Sequence, residues 1–278
     1  MRSVLIAGIS GNLGTNLARN LSKEGFIVFG LSRTTNPPNS PFIKRMYSNN
    51  DTSKAFENNQ IDYVINAACC YGRAKENDYE ILEGNFFFQI TLLKHAINFS
   101  SKFINIASVV HPNANLYGYT KDIFTDSLKR IGKLNLDFSY LNIFLENIYG
   151  PNESKDKFIK SMILKLKNDH VIYLSKGWQK RDFLYITDAV EGITQTIVNF
   201  EKLQGNLNII LGSGFSITVR ELTNKLKKIS MSKASLIFDG SKQEPTRLIN
   251  RGKYPKLQEL IDWEPKISLF QGLSKYEY

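Results

Sequence analysis

Ser3-Val4-Leu5-Ile6-Ala7-Gly8-Ile9-Ser10-Gly11-Asn12-Leu13-Gly14 is the stretch whose reading decides the fold. Its first five residues form a short apolar run of strand type, and Leu13, Leu17 and Leu21 then recur at helical intervals. Between them Gly8, Gly11 and Gly14 follow the spacing GxxGxxG. Glycines allow a tight strand-to-helix turn and close approach of the backbone to a pyrophosphate. The last one lets the helix pack on the strand, and the helix N-terminus attracts the anion. A plain tight turn is the alternative, but the position directly after the first strand favours dinucleotide binding. Gly8, Gly11, Asn12, Leu13 and Gly14 are therefore candidate cofactor contacts.

Outward from that turn, Gly25 ends the helix and 26–31 form the next strand. Asn36-Pro37-Pro38-Asn39-Ser40-Pro41 is a turn-rich stretch leading to a third strand near 42–46, with further strands at 63–66, 103–107 and 138–143. Short, nearly continuous apolar strands alternating with helices predict an α/β fold: a Rossmann-type, doubly wound parallel sheet covered on both faces. From Gly150 the rhythm changes. A turn at 150–153, a basic helix at 158–167, a strand at 171–174 and a helix at 216–229 suggest a smaller α/β lobe. A helix at 188–200 and a strand at 207–211 return the chain to the main sheet. The expected division is 1–147 with 183–212 for the dinucleotide, and 148–182 with 213–278 for the substrate.

Composition narrows the function classes. With 278 residues, 42% hydrophobic and 22% charged, the chain has the make-up of a soluble globular protein. No apolar run is long enough for a bilayer, and Val4-Leu5-Ile6-Ala7 is too short for a signal peptide, so a cytoplasmic protein is expected. Cys69 and Cys70 are adjacent, which strains a bridge, and are expected to be small apolar residues after a strand. His95, His111 and His170 are scattered, so no metal site is expected. The net charge of +10 is spread along the chain without the aromatic-interleaved stripe of single-strand binders. It suits a diphosphate better than nucleic acid.

The end of the second strand selects the dinucleotide. An NAD site usually carries an acidic residue there for the ribose 2′-hydroxyl. This chain has Leu31-Ser32-Arg33-Thr34 instead. Arg33 can grip a 2′-phosphate and Ser32 can hydrogen-bond it, so NADP(H) is the expected cofactor. Tyr117 and Lys121, four apart at a helix start, share one face. A lysine ammonium beside a phenol favours the phenolate, which suits proton transfer in carbonyl reduction. Ser108 ends the fifth strand, at the sheet edge where ligands bind, and its hydroxyl can hold a carbonyl.

Taken together, GxxGxxG, Asn66-Ala67-Ala68, Ser108, Tyr117 with Lys121, Glu146-Asn147-Ile148-Tyr149-Gly150-Pro151, Gln179 to Asp188 and Trp263-Glu264-Pro265 resemble the extended short-chain dehydrogenase/reductase family in its nucleotide-sugar branch. The resemblance spans nearly the whole chain. It implies NADPH-dependent reduction of the 4-keto group of a nucleotide-linked, CDP-type deoxy sugar, for lipopolysaccharide or capsule synthesis. Tyr117 would then give a proton to O4, Lys121 would bind the nicotinamide ribose and Ser108 would hold the carbonyl, with Ala67 beside the cofactor. Asn147, Arg181 and Arg247 would contact the diphosphate, and Tyr71 and Arg73 would lie near the sugar. Homodimers are common in the branch, and the helix at 119–131 could supply half of such an interface.

Nearby departures prune the chemistry. Val109-Val110 follows Ser108, where a 4,6-dehydratase needs an Asp-Glu acid/base pair and a 3,5-epimerase/reductase needs a cysteine. His111 is expected to be a loop residue. The competing functions are a 4-epimerase with retained NAD(P) and a non-catalytic NADP-sensing or RNA-binding protein. The second fits less well because Tyr117 and Lys121 are both present.

Overall fold

The computed structural model describes residues 1–33, 40–73, 75–203, 205–240 and 254–278. Along the chain β1 (Ser3–Ala7), α1 (Asn12–Lys23), β2 (Ile27–Ser32), β3 (Arg45–Ser48), α2 (Thr52–Glu57) and β4 (Tyr63–Asn66) come first. Then follow α3 (Asp78–Leu82), α4 (Phe88–Asn98), β5 (Lys102–Ser108), α5 (Leu116–Leu134), β6 (Tyr140–Leu145), β7 (Asn147–Tyr149), α6 (Phe158–Asn168) and β8 (Val171–Leu174). The last elements are β9 (Lys180–Tyr185), α7 (Ile186–Val198), β10 (Leu207–Leu211), β11 (Ser216–Thr218), α8 (Val219–Ile229), β12 (Ser235–Phe238) and α9 (Leu269–Leu273). These elements group into two compact units. One comprises Met1–Leu145, Val190–Leu211 and Leu248–Trp263; the other comprises Glu146–Ala189, Gly212–Arg247 and Glu264–Tyr278.

In the first unit, seven strands among the described residues form one sheet in the order β10-β6-β5-β4-β1-β2-β3, with every neighbouring pair parallel. The expected doubly wound α/β sheet is thus present. All five residues of β1 are buried, because helices cover both faces, which is why its sequence is a continuous apolar run. The order turns back between β1 and β4, and the crevice at the carboxyl ends of those strands is where such folds bind ligands. α1 packs on the sheet through Gly14, Leu17, Ala18 and Leu21, spaced at i, i+3, i+4 and i+7.

A polar ladder crosses this otherwise apolar sheet. Asn66 donates to Asn105 (2.9 Å), Asn105 to Asn142 (2.9 Å) and Asn142 to Asn208 (3.0 Å), so one amide on each of β4, β5, β6 and β10 joins the row. The first three side chains are wholly buried and stand directly opposite one another in the strand register. Slipping any of these strands by one residue would break the row and leave buried amides unpaired, so the ladder fixes register at the strands that carry the site.

Several boundaries differ from the sequence expectation, each for a local reason. The third strand begins at Arg45 rather than near 42, because the turn before it continues: Ile43 N–H donates to Ser40 C=O at 3.1 Å. The sixth begins at Tyr140, since the Phe138 N–H still closes a turn onto Asn135 C=O. The helix expected over 216–229 starts only at Val219. Thr218 and Glu221 form a capping box there, and Ser216–Thr218 pair as β11 with β9. Asn147–Tyr149, expected as part of a turn motif, is a short strand parallel to β9.

The second unit contains a three-stranded sheet, β11-β9-β7, and a parallel pair, β12-β8. Its helices α6 and α8 pack together. Each presents the same buried stripe, Ile159, Met162, Ile163 and Leu166 on one and Val219, Leu222, Thr223 and Leu226 on the other. Arg247 falls outside the described residues.

Candidate active site

The glycine turn has the steric character that a dinucleotide needs. Gly8 adopts a φ of +81°, and a Cβ there would come within 2.8 Å of the Ala67 carbonyl oxygen and of the Ala68 backbone. A Cβ on Gly14 would stand 2.3 Å from the Gly8 carbonyl oxygen, so only glycine lets α1 begin this close to the turn. The Gly8 and Ile9 N–H groups both donate to Leu31 C=O, which ties the turn to the end of β2. Gly11 is the N-cap of α1 and offers no side-chain acceptor, and no acidic residue sits in the first turn. The first N–H groups of this helix, at Asn12, Leu13 and Gly14, are thus available to an anion. These features fit a dinucleotide pyrophosphate. Ala67, on the other side of the crevice, is held by its N–H to Ala7 C=O at 3.0 Å.

At the end of β2, Ser32 is buried and donates to Ser10 Oγ (3.1 Å), while Arg33 is exposed. Ser10 and Ser32 thereby link the glycine turn to the end of β2.

Ser108, Tyr117, Lys121, Tyr71 and Arg73 all come together in the first unit. The Ser108 hydroxyl faces the Tyr117 phenol and accepts from Val110 N–H at 3.1 Å. The Tyr71 and Tyr117 rings lie 5.0 Å apart between centroids, and the Arg73 guanidinium sits 5.2 Å over Tyr71. Lys121, one turn beyond Tyr117, is buried. Burial pushes the Lys121 ammonium below its ordinary pKa, with the Cys69 thiol pulling the other way. Burial likewise holds the Tyr117 phenol well above its ordinary value, reinforced by Cys69 and Tyr71 and opposed by the Ser108 hydroxyl. Burial is the largest influence on the Tyr117 phenol in the protein alone.

Two residues to which the sequence reading gave no part in the site help to build it. Cys69, expected as an apolar filler, has its thiol beside Tyr71 and Tyr117. Asn85, wholly buried in the π-helical turn Glu83–Phe87 between α3 and α4, clamps the loop that carries Cys69, Tyr71 and Arg73. Its Oδ1 accepts from Cys70 N–H (2.7 Å), and its Nδ2 donates to Cys70 C=O (2.7 Å) and Thr120 Oγ1 (3.2 Å). One amide therefore joins the post-β4 loop to α5, one residue from Lys121. No signal in a single sequence marks this asparagine among the others. His111 is a loop residue, as expected: its Nδ1 accepts from Asn113 N–H.

In the second unit, Asn147 donates to the Asp182 carbonyl at 3.0 Å, and Arg181 Nη1 donates to Lys180 C=O at 2.8 Å. Burial lowers the Arg181 pKa, and the charge of Glu146 raises it. Glu146, to which the sequence reading gave no role of its own, is a carboxyl pushed up to about 7 by burial and by Asp182, with Arg181 opposing.

Among the described residues no group of three His, Cys, Asp or Glu is placed to hold a metal, and no helix is long and apolar enough to cross a membrane.

Fold and site together define a doubly wound α/β protein with a glycine turn shaped for a dinucleotide and a serine–tyrosine–lysine set at the carboxyl edge of the sheet. The chain belongs to the NAD dependent epimerase/dehydratase family, which residues 4–212 match. It is 25% identical over 283 residues to a CDP-abequose synthase of Salmonella muenchen, covering 99% of this chain and 96% of that protein. It is also 25% identical over 311 residues to a UDP-glucuronate 4-epimerase of Thermodesulfobacterium geofontis, covering 98% and 94%. Among solved structures, the UDP-glucuronic acid 4-epimerase from Bacillus cereus in complex with UDP-glucuronic acid and NAD matches with a TM-score of 0.80 at 21% identity, over 98% of this chain and 97% of that one. That last likeness is one of fold.

Proposed function

We propose that this chain is an NADPH-dependent reductase of the 4-keto group of a nucleotide-linked deoxy sugar, with CDP as the nucleotide. The observation that carries this reading is the meeting of the Ser108 hydroxyl and the Tyr117 phenol, with the Tyr71 ring 5.0 Å from Tyr117 and the buried Lys121 one helical turn on. A bound nicotinamide supplies the hydride to the carbonyl carbon. The chain's own part is to hold and protonate the oxygen: Ser108 donates to it, and Tyr117 gives it a proton as charge develops there. Lys121 binds the nicotinamide ribose, and its ammonium stabilises the phenolate left on Tyr117. Tyr71 and Arg73 flank the sugar, while Asn147 and Arg181, together with Arg247, hold the diphosphate through paired hydrogen bonds of the kind arginine makes. NADP(H) rather than NAD(H) is favoured by Ser32 and Arg33, where an NAD site needs a carboxylate. The similarity to CDP-abequose synthase along nearly the whole chain supports the reductase and the CDP base. A cytoplasmic homodimer completes the reading.

A second reading, a 4-epimerase with retained cofactor, is favoured by the equal identity to a UDP-glucuronate 4-epimerase. The two separate cleanly. A reductase consumes added NADPH in proportion to a CDP-4-keto-deoxy sugar, whereas an epimerase is purified with bound dinucleotide and interconverts sugars with no net consumption. Absence of NADPH oxidation with CDP-, dTDP- or GDP-linked 4-keto sugars defeats the reductase.

A further inference from the structure

Glu146 has no place in the chemistry above, yet its carboxyl is closely surrounded in the second unit. Its Oε2 is buried without a hydrogen-bond partner among the described residues. Gly212 makes room for it: a Cβ at that position would come 2.8 Å from Glu146 Cγ and 2.8 Å from Asp182 Oδ2. The neighbouring Asp182 is fully engaged, because its carboxylate accepts from Ser213 N–H (2.9 Å), Ser213 Oγ (2.6 Å) and Gly214 N–H (2.9 Å). Asn147, next in sequence, is held through its amide by the Asp182 carbonyl. Asp182 thus serves the scaffold, and Glu146 is left with an acceptor that the protein does not satisfy, beside the Arg181 charge. A buried carboxylate oxygen with no donor is costly, so a site that keeps one is shaped for a donor arriving from outside.

We propose that Glu146 Oε2 accepts a hydrogen bond from a sugar hydroxyl adjacent to the diphosphate of the bound nucleotide sugar, which makes Glu146 a specificity-determining residue. This rests on the nucleotide-sugar reading given above. A carboxylate close to a diphosphate is repelled by it, and a hydroxyl that donates to the carboxylate lowers that cost where Arg181 serves the phosphates. Two hydroxyl sources flank a diphosphate, the ribose and the hexose, and they are separable by ligand.

The test is calorimetric binding of CDP-glucose, CDP and inorganic pyrophosphate to the full chain and to Glu146→Gln at pH 8. A hydrogen bond to a charged acceptor corresponds to about tenfold or more in affinity. The expected result is a loss of that size in Glu146→Gln for CDP-glucose alone if the hexose supplies the hydroxyl, or for both CDP and CDP-glucose if the ribose does. Pyrophosphate binding should not weaken and the thermal midpoint should not fall, which shows the lobe intact. Equal affinities of wild type and variant for both nucleotides overturn the proposal. A wild-type protein that binds neither CDP nor CDP-glucose, nor their UDP and GDP counterparts, overturns the nucleotide-sugar reading itself.

Discussion

Replacing Glu146 by glutamine isolates the cost of charging one buried carboxyl. The group titrates near 4.5 when exposed and is pushed up to about 7 in the fold. A carboxyl raised in this way prefers its protonated form in the folded state. Stability is therefore greatest below the unfolded value and declines as pH rises through the folded one. The interval of about 2.5 pH units, at about 1.36 kcal/mol each, gives a total of about 3 kcal/mol. Of this about 2–3 kcal/mol falls between pH 5 and pH 8. Glutamine keeps the size and does not titrate. Urea unfolding of both proteins across that range yields a stability difference whose constant part reports packing and the loss of a partner for Arg181, while its slope reports Glu146 alone. Wild type should lose about 2–3 kcal/mol relative to the variant between pH 5 and pH 8. A difference that stays flat, or slopes the other way, refutes the account of the Glu146 environment.

Other perturbations follow from the same geometry. Arg33→Ala should raise the KM for NADPH about tenfold or more while leaving that for NADH nearly unchanged, because a charged hydrogen bond to a phosphate is lost; equal effects on both cofactors would remove Arg33 from 2′-phosphate recognition. Asn85→Ala strands the buried Cys70 N–H and C=O and frees the loop from α5, so the urea midpoint should fall by an amount equal to about 3 kcal/mol with an unchanged m value, and an unaffected midpoint would show that Asn85 is not a clamp.

The parts of this molecule legible in its sequence are those with strong local signals. The glycine turn, the continuous apolar strands and the helical stripe of α1 each follow from sterics and burial within a dozen residues, and they place the sheet correctly. The tyrosine and lysine four apart needed only helical geometry. What stayed hidden depends on residues brought together from far along the chain. The asparagine ladder joins positions 66, 105, 142 and 208, and each amide taken singly looks like an interruption of a strand. Asn85 and Cys69 acquire meaning only when the π-helical turn and the post-β4 loop meet α5. The capping box at Thr218 and Glu221 was present in the sequence, but the helical pattern around it masked the short strand before it. Glu146 precedes a recognisable Asn-x-Tyr-Gly-Pro turn, and nothing in its immediate neighbours announces a buried carboxyl.

Proton delivery from Tyr117 to a ketone oxygen held by Ser108 is most directly tested by single-turnover NADPH oxidation with a CDP-linked 4-keto-deoxy sugar, in wild type and Tyr117→Phe. Wild type should oxidise NADPH in step with formation of the hydroxyl product. The variant should bind both ligands and react about a hundredfold or more slowly. A variant that reduces the sugar at the wild-type rate would contradict the account.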